Sequence, residues 1–151
     1  MNLNQVTLPS LDVAASIEFY VRLGLALIVD ASPRYARFHC PDGEATLSVH
    51  AVERRPPGPG VTVYFECADV DARYEELVSL GVTFDTSPAD QRWLWREARL
   101  KDPSGNELCL FHAGVNRLNP PWRVGGPGAA EATSSAGQAA PDRGEAVQRP
   151  T

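Results

Sequence analysis

Asp12-Val-Ala-Ala-Ser-Ile-Glu-Phe-Tyr-Val-Arg-Leu-Gly24 and Asp69-Val-Asp-Ala-Arg-Tyr-Glu-Glu-Leu-Val-Ser-Leu-Gly81 are two versions of one segment, 57 positions apart (12 against 69). The Asp, Val, Ala, Glu, Val, Leu and Gly positions coincide. A second match sets Pro41-Asp-Gly-Glu with His50-Ala51 against Pro103-Ser-Gly-Asn with His112-Ala113, 62 positions apart (41 against 103). The second copy therefore carries five more residues between Gly81 and Pro103. Self-similarity at a fixed offset marks a duplicated supersecondary unit.

Each copy reads the same way from its physical chemistry. Asp12 and Asp69 stand where an N-cap carboxylate accepts from first-turn N–H groups. Val13, Ile17, Tyr20/Val21 and Leu23 share one helical face, as do Val70, Tyr74, Leu77/Val78 and Leu80. Gly24 and Gly81 supply the left-handed residue that ends a helix. A short strand over 5–9 precedes the first helix. Three strands are expected after it, over 25–30, 34–40 and 45–52, and after the second helix over 82–85, 93–101 and 107–112. Pro41-Asp42-Gly43 and Asp102-Pro103-Ser104-Gly105-Asn106 are turns that make the last two strands of each unit hairpins. Residues 54–60 (RRPPGPG) are a linker. The expected fold is α+β: two βαβββ repeats, about 3–53 and 60–113.

The ends and the bulk composition narrow the function. Residues 125–151 contain no Ile, Leu, Phe, Trp or Tyr. Such a segment buries too little apolar surface to offset its ordering entropy, so it is expected to be a disordered tail. The folding unit is then 1–124, with 114–124 as an arm. Net charge is −5 with no basic block, which argues against nucleic acid as a partner. No apolar run approaches membrane-spanning length, and the first residues lack a signal-peptide pattern. Cys40, Cys67 and Cys109 are odd in number and without zinc-type spacing, as expected of reduced thiols in a cytoplasmic protein.

The stretches Val6-Thr-Leu-Pro, Ser16-Ile-Glu-Phe-Tyr20 with Leu23-Gly24-Leu25, Tyr64-Phe-Glu-Cys-Ala-Asp-Val-Asp71, and Asp102-Pro-Ser-Gly-Asn-Glu-Leu-Cys-Leu110 together resemble the vicinal oxygen chelate superfamily, which includes glyoxalases, bleomycin-resistance proteins and extradiol dioxygenases. The resemblance covers about residues 3–112. It implies eight strands in two half-barrel sheets with helices outside, a binding site on the concave faces, and pairing of subunits into a homodimer.

In metal-dependent members the resemblance places a ligand on the first and last strand of each half. Counting from the capping Asp and the turn glycine gives Gln5, Thr62, Cys109 and Leu47, or Ser48 if the first half carries a one-residue bulge. An amide, a hydroxyl and one thiol form a poor set for a divalent transition metal. No metal and no cofactor are expected. In the ungapped register His50 and His112 both point opposite to Cys109; His39 has no partner at ligand spacing, and Glu107 reads as solvated.

Strand alternation then sorts the inner face. Gln5, Thr62, Tyr64, Glu66, Cys109 and Phe111 fall inward. In the strand containing the tryptophans, Trp93, Trp95, Glu97 and Arg99 share one face, and Leu94, Arg96, Ala98 and Leu100 face the helices. These ten inward residues are the candidate ligand-binding set. Aromatic walls with sparse polar anchors describe a small-molecule site suited to flat or cationic compounds. The alternative for Trp93 and Trp95 is to fill a barrel without a cavity or to seal a dimer interface. A carboxylate in an apolar cleft is poised to move a proton, which makes Glu66 and Glu97 candidates, Glu97 the catalytic one retained; Cys109 as a nucleophile has no histidine on its face to activate it. Two main readings stand: a metal-independent small-molecule-binding protein, or a superfamily isomerase, lyase or dioxygenase. A third is an interaction module that docks Trp122 of the arm.

Overall fold

The computed structural model describes residues 1–58 and 60–124; the tail expected to be disordered lies outside them. Ten elements build the body, Met1–Ala113. The first half runs β1 (Gln5–Ser10), α1 (Val13–Arg22), β2 (Ala26–Ala31), β3 (Tyr35–His39) and β4 (Thr46–Ala51). The second runs β5 (Thr62–Glu66), α2 (Val70–Ser79), β6 (Ala89–Asp90), β7 (Arg96–Lys101) and β8 (Glu107–His112). The sheets have orders β1-β4-β3-β2 and β5-β8-β7-β6, with the outer pairs β1–β4 and β5–β8 parallel and the rest antiparallel. This is the duplicated βαβββ pattern in two half-barrel sheets. A separate short unit begins with a 3₁₀ turn at Gly114–Arg117.

The two helices start as their sequences require. The Asp12 and Asp69 carboxylates each accept from the backbone N–H three residues on, at 3.0 Å. Gly24 and Gly81 follow the helix ends with φ of +94° and +83°. Gly24 is also fixed by packing: the Arg73 guanidinium of α2 donates to the Leu23 carbonyl at 2.7 Å, and a Cβ on Gly24 would lie 2.4 Å from it. One core joins the halves. Val13 and Tyr20 of α1, Val70 and Leu77 of α2, and the helix-facing residues Phe38, Leu47, Val49, Ala98, Leu100, Leu108 and Leu110 belong to one buried cluster.

Three expectations for the second half need correction. The segment 82–85 forms no strand beyond a single bridge between Phe84 and Leu100, and the outer strand is the two-residue β6. The strand expected over 93–101 begins only at Arg96. Trp93 and Leu94 lie in a tight turn in which Leu94 N–H donates to the Gln91 carbonyl and Leu94 takes φ of +65°. Leu94 is therefore exposed rather than packed under a helix. Period-2 alternation cannot reveal a left-handed residue inside an apolar run.

A buried polar lock ties the halves together. Asp102, 4% exposed, accepts from the Tyr20 hydroxyl at 2.9 Å, from the N–H groups of Ser104 and Asn106, and from the Asn106 amide at 2.7 Å. Asn106 also donates to the Pro9 carbonyl, and the Leu11 N–H donates to the Ser104 hydroxyl. Burial, then the Asp102 charge, push the Tyr20 phenol far above its ordinary range, so it stays a donor. Tyr20→Phe is expected to lower unfolding free energy by about 1–3 kcal/mol, the cost of a lost bond to a buried charged acceptor. Asp102→Ala strips four donors at once and is expected to cost more. Urea midpoints of the two variants, compared with the parent protein, measure both.

Candidate functional site

The helix-averted face of the second sheet gathers most of the candidate residues. On β5, Thr62, Tyr64 and Glu66 alternate with the core-packed Val63 and Phe65. On β8, Cys109 and Phe111 form a small cluster apart from the main core, with Trp95 packed against them. Trp95 stacks on Phe111 with ring centroids 4.7 Å apart and planes 27° apart. Tyr64 meets both rings edge-on, at 5.6 Å from Phe111 and 6.0 Å from Trp95. Stacked and edge-to-face contacts hold an aromatic platform whose Tyr64 side remains substantially exposed.

Glu97 sits beneath this platform, 2% exposed. Its carboxylate is held from both sides. The Trp93 indole N–H donates to Oε1 at 2.7 Å, and the Arg99 guanidinium donates to Oε2 at 2.7 Å. Burial works against the charge on Arg99, but the bonds to Glu97 and the Tyr64 hydroxyl outweigh it and raise its pKa. Cys109 is fully buried beside this pair. Burial first, then the Glu97 charge, push its thiol up to about 12. A neutral buried thiol is a poor nucleophile at physiological pH.

Gln5 lies apart from that platform, at the exposed start of β1. It lines a cleft of about 870 Å³ along the seam between the halves, which also touches Tyr64, Glu66, Cys67, Arg73 and His112. Of the ten candidates only Gln5, Tyr64 and Glu66 reach this cleft. Its volume suits a small ligand, yet several polar groups along it are already engaged. Arg73 donates to the Leu23 carbonyl and pairs with Glu76, the Cys67 thiol donates to the Phe111 carbonyl, and His112 bonds the Cys67 carbonyl. Tyr64 and Glu66 border both the cleft and the helix-averted sheet face, whereas Trp95, Phe111 and the Glu97–Arg99 pair lie on that face alone.

The register settles the two positions left open by counting. Gln5 pairs with Thr46 and Thr62 with Glu107, so β4 and β8 correspond with an offset one residue shorter than the ungapped match. Leu47 is therefore in the core, and Ser48 is the inner-face partner of Cys109. His50 moves with Ser48 to the inner face, opposite Tyr35, which corrects its expected outward direction. His112 does face away from Cys109. The Ser48 hydroxyl is bonded to Thr7 at 2.7 Å. Among the described residues no three His, Cys, Asp or Glu side chains converge as a metal site. Gln5, Ser48, Thr62 and Cys109 offer an amide, two hydroxyls and one thiol, a set that does not fit a divalent transition metal. His39 bonds the Gly43 carbonyl, and Glu107 pairs with Lys101.

The inner face of the first sheet was not singled out by sequence reading. Tyr35, Arg37 and His39 of β3 alternate with the buried Ala36 and Phe38. Strand alternation places these three on one face, but no ligand spacing or motif marks them.

The chain belongs to the glyoxalase/bleomycin resistance protein/dioxygenase superfamily, whose family model matches residues 2–110. It is similar to the anthracycline biosynthesis protein DauV of Streptomyces sp. (strain C5), 34% identical over 126 residues that are 72% of this chain and 46% of DauV. The chain thus spans about half the length of that curated relative. A glyoxalase/bleomycin resistance protein/dioxygenase from Nocardioides is 26% identical with a TM-score of 0.65, covering 80% of this chain and 87% of the other. A bleomycin-binding protein crystallised with bleomycin shares the fold at 24% identity and a TM-score of 0.61, covering 74% of this chain and 98% of its own.

The raised Cys109 thiol makes a pH prediction. Because the folded pKa lies above the ordinary 9.0, the neutral thiol's contribution is fully present below about pH 9 and is lost as pH climbs towards 12. Stability of the parent protein is expected to fall more steeply over that window than that of Cys109→Ala. In the native state at pH 8, Cys109 is expected to resist a disulfide-exchange reagent until denaturant is added.

Proposed function

We propose that this chain is a metal-independent small-molecule-binding protein that takes a flat aromatic compound on the concave face of the second sheet. The stacked Trp95–Phe111 pair with Tyr64 at its edge carries the reading. Planar rings add to such a platform by offset stacking, and Thr62 and Glu66 stand on the same face as polar edges. Arg99 already balances the Glu97 charge, so stacking rather than ion pairing is the principal attraction offered here. The relative DauV bears anthracycline biosynthesis in its name, and anthracyclines are built on a planar fused-ring system of the shape this platform suits.

The unsuitable donor set supports metal independence. An isomerase, lyase or dioxygenase activity would need a metal or a free proton carrier. Glu97, the foremost catalytic candidate, has both oxygens occupied, and Cys109 is a buried neutral thiol. Both facts favour binding over turnover. The free edge of β2 presents exposed Leu27, Ile28 and Val29, and we read the protein as a cytoplasmic homodimer joined through such apolar surface. No helix among the described residues is long and apolar enough to cross a membrane.

Titration of the full chain with an anthracycline, followed by tryptophan fluorescence, is expected to give saturable quenching. Trp95→Ala is expected to weaken binding about tenfold or more, since a lost stacking partner removes both ring contact and buried area. Elemental analysis of protein purified without chelator is expected to show no stoichiometric transition metal. Unsaturable quenching with anthracyclines and bleomycin alike, or full occupancy by Fe, Mn, Ni or Zn, would sink this reading.

A further inference from the structure

The two halves carry the same arginine in different electrostatic settings. Arg37 of β3 pairs across the ladder with Ser48, and Arg99 of β7 pairs with Cys109, the residue equivalent to Ser48. Two residues earlier on each strand stand Tyr35, opposite His50, and Glu97, opposite Phe111. Each arginine reaches back to that neighbour: Arg99 donates to the Glu97 carboxylate at 2.7 Å, and Arg37 Nε donates to the Tyr35 hydroxyl at 2.7 Å. The second half thus places an acid where the first places a phenol. Arg99 is neutralised; Arg37 takes part in no ion pair among the described residues.

We propose that the concave face of the first sheet is an oxyanion-binding site, in which Arg37, positioned by Tyr35 and flanked by the Thr7–Ser48 hydroxyl pair, takes a carboxylate or phosphate group of a small molecule. A guanidinium presents five donors in a planar fork. Tyr35 uses the Nε donor and also lies under the cation, with the guanidinium carbon 5.6 Å from the ring centroid. That double contact fixes the plane of the fork and leaves the two terminal nitrogens as a bidentate clamp for an oxyanion. Arg37 and Tyr35 are half-buried, so the clamp works against less solvent than a surface arginine does. The uncompensated charge registers on its neighbour. Burial pushes the Tyr35 phenol up, but the Ser48 hydroxyl and Arg37 outweigh it and lower its pKa. His39 and His50 lie on the same face. The site goes beyond the aromatic reading and does not depend on it, because its recognition is ionic and resides on the other sheet.

Side-chain NMR of the full-length protein tests this with ringless probes. Arginine Nε–H signals are followed during titration with sodium acetate and, separately, with inorganic phosphate, ionic strength being held constant with chloride. The expected result is a saturable shift of the Arg37 signal. In Arg37→Lys, which keeps charge but loses the fork, the accompanying shifts of the Tyr35 and Ser48 backbone signals should need at least tenfold more anion. They should be absent in Arg37→Gln and retained in Arg22→Gln, which changes net charge equally. Preference for acetate identifies a carboxylate as the group bound, and preference for phosphate a phosphate. A linear, non-saturating response of Arg37 in the parent protein overturns the proposal, even if Arg37→Gln fails to fold. So does an unchanged response of Tyr35 and Ser48 in a folded Arg37→Gln. Failure of anthracycline binding leaves this outcome untouched, and failure here leaves the aromatic platform untouched.

Discussion

A buried carboxylate supplies the polar link between the two halves that share one apolar core. Asp102 collects the Tyr20 hydroxyl, two backbone N–H groups and the Asn106 amide, and Asn106 passes the connection on to the Pro9 carbonyl. A buried charge is costly unless its lone pairs are filled, and here four donors fill them. The lock draws on both halves: Tyr20 and Pro9 from the first, the β7–β8 turn from the second. It also explains why the turn has its particular composition. Asp102 accepts within the turn, Asn106 spans outward, and Gly105, at φ of +77°, lets Arg55 approach where a Cβ would lie 2.8 Å from the guanidinium. The corresponding first-half turn, Pro41-Asp42-Gly43, has an exposed Asp42 and no such task.

With the helices packed into a shared core, the averted sheet faces are where chemistry can differ, and they do. The second sheet shows a stacked aromatic surface over a neutralised Glu97–Arg99 pair. The first shows hydroxyls and an arginine without a carboxylate. Duplication supplied one scaffold twice. Replacement of a few inward side chains, Tyr35 for Glu97 and Ser48 for Cys109, separates their electrostatics without disturbing the outward-facing core residues that alternate with them. A buried Phe38 or Leu100 cannot vary so freely, because its volume is part of the packing.

Much of the architecture was legible because it rests on local rules. Capping Asp residues, helix-ending glycines and period-2 strands each announce themselves within a few residues. The inward placement of Tyr64, Cys109 and Phe111 follows from alternation along β5 and β8. What failed did so where a local rule meets a distant partner. Leu94 adopts a left-handed turn that swings Trp93 onto Glu97, and nothing in Trp-Leu-Trp-Arg distinguishes that from a continuing strand. The first-half register hinged on one residue, and a one-residue slip moves every side chain to the opposite face. Only the pairing of Thr46 with Gln5 fixes it.

Taken alone, the sequence determined the duplicated βαβββ plan, the alternating faces, and the poverty of metal donors at Gln5, Thr62 and Cys109, since these depend on residue type and spacing along the chain. The tertiary structure decided which charges are spent and which are not. Asp102 is consumed by the lock and Glu97 by Trp93 and Arg99, whereas Arg37 has only a phenol beside it. Neutralisation depends on distances between side chains, and those become defined only when the strands are laid together in register.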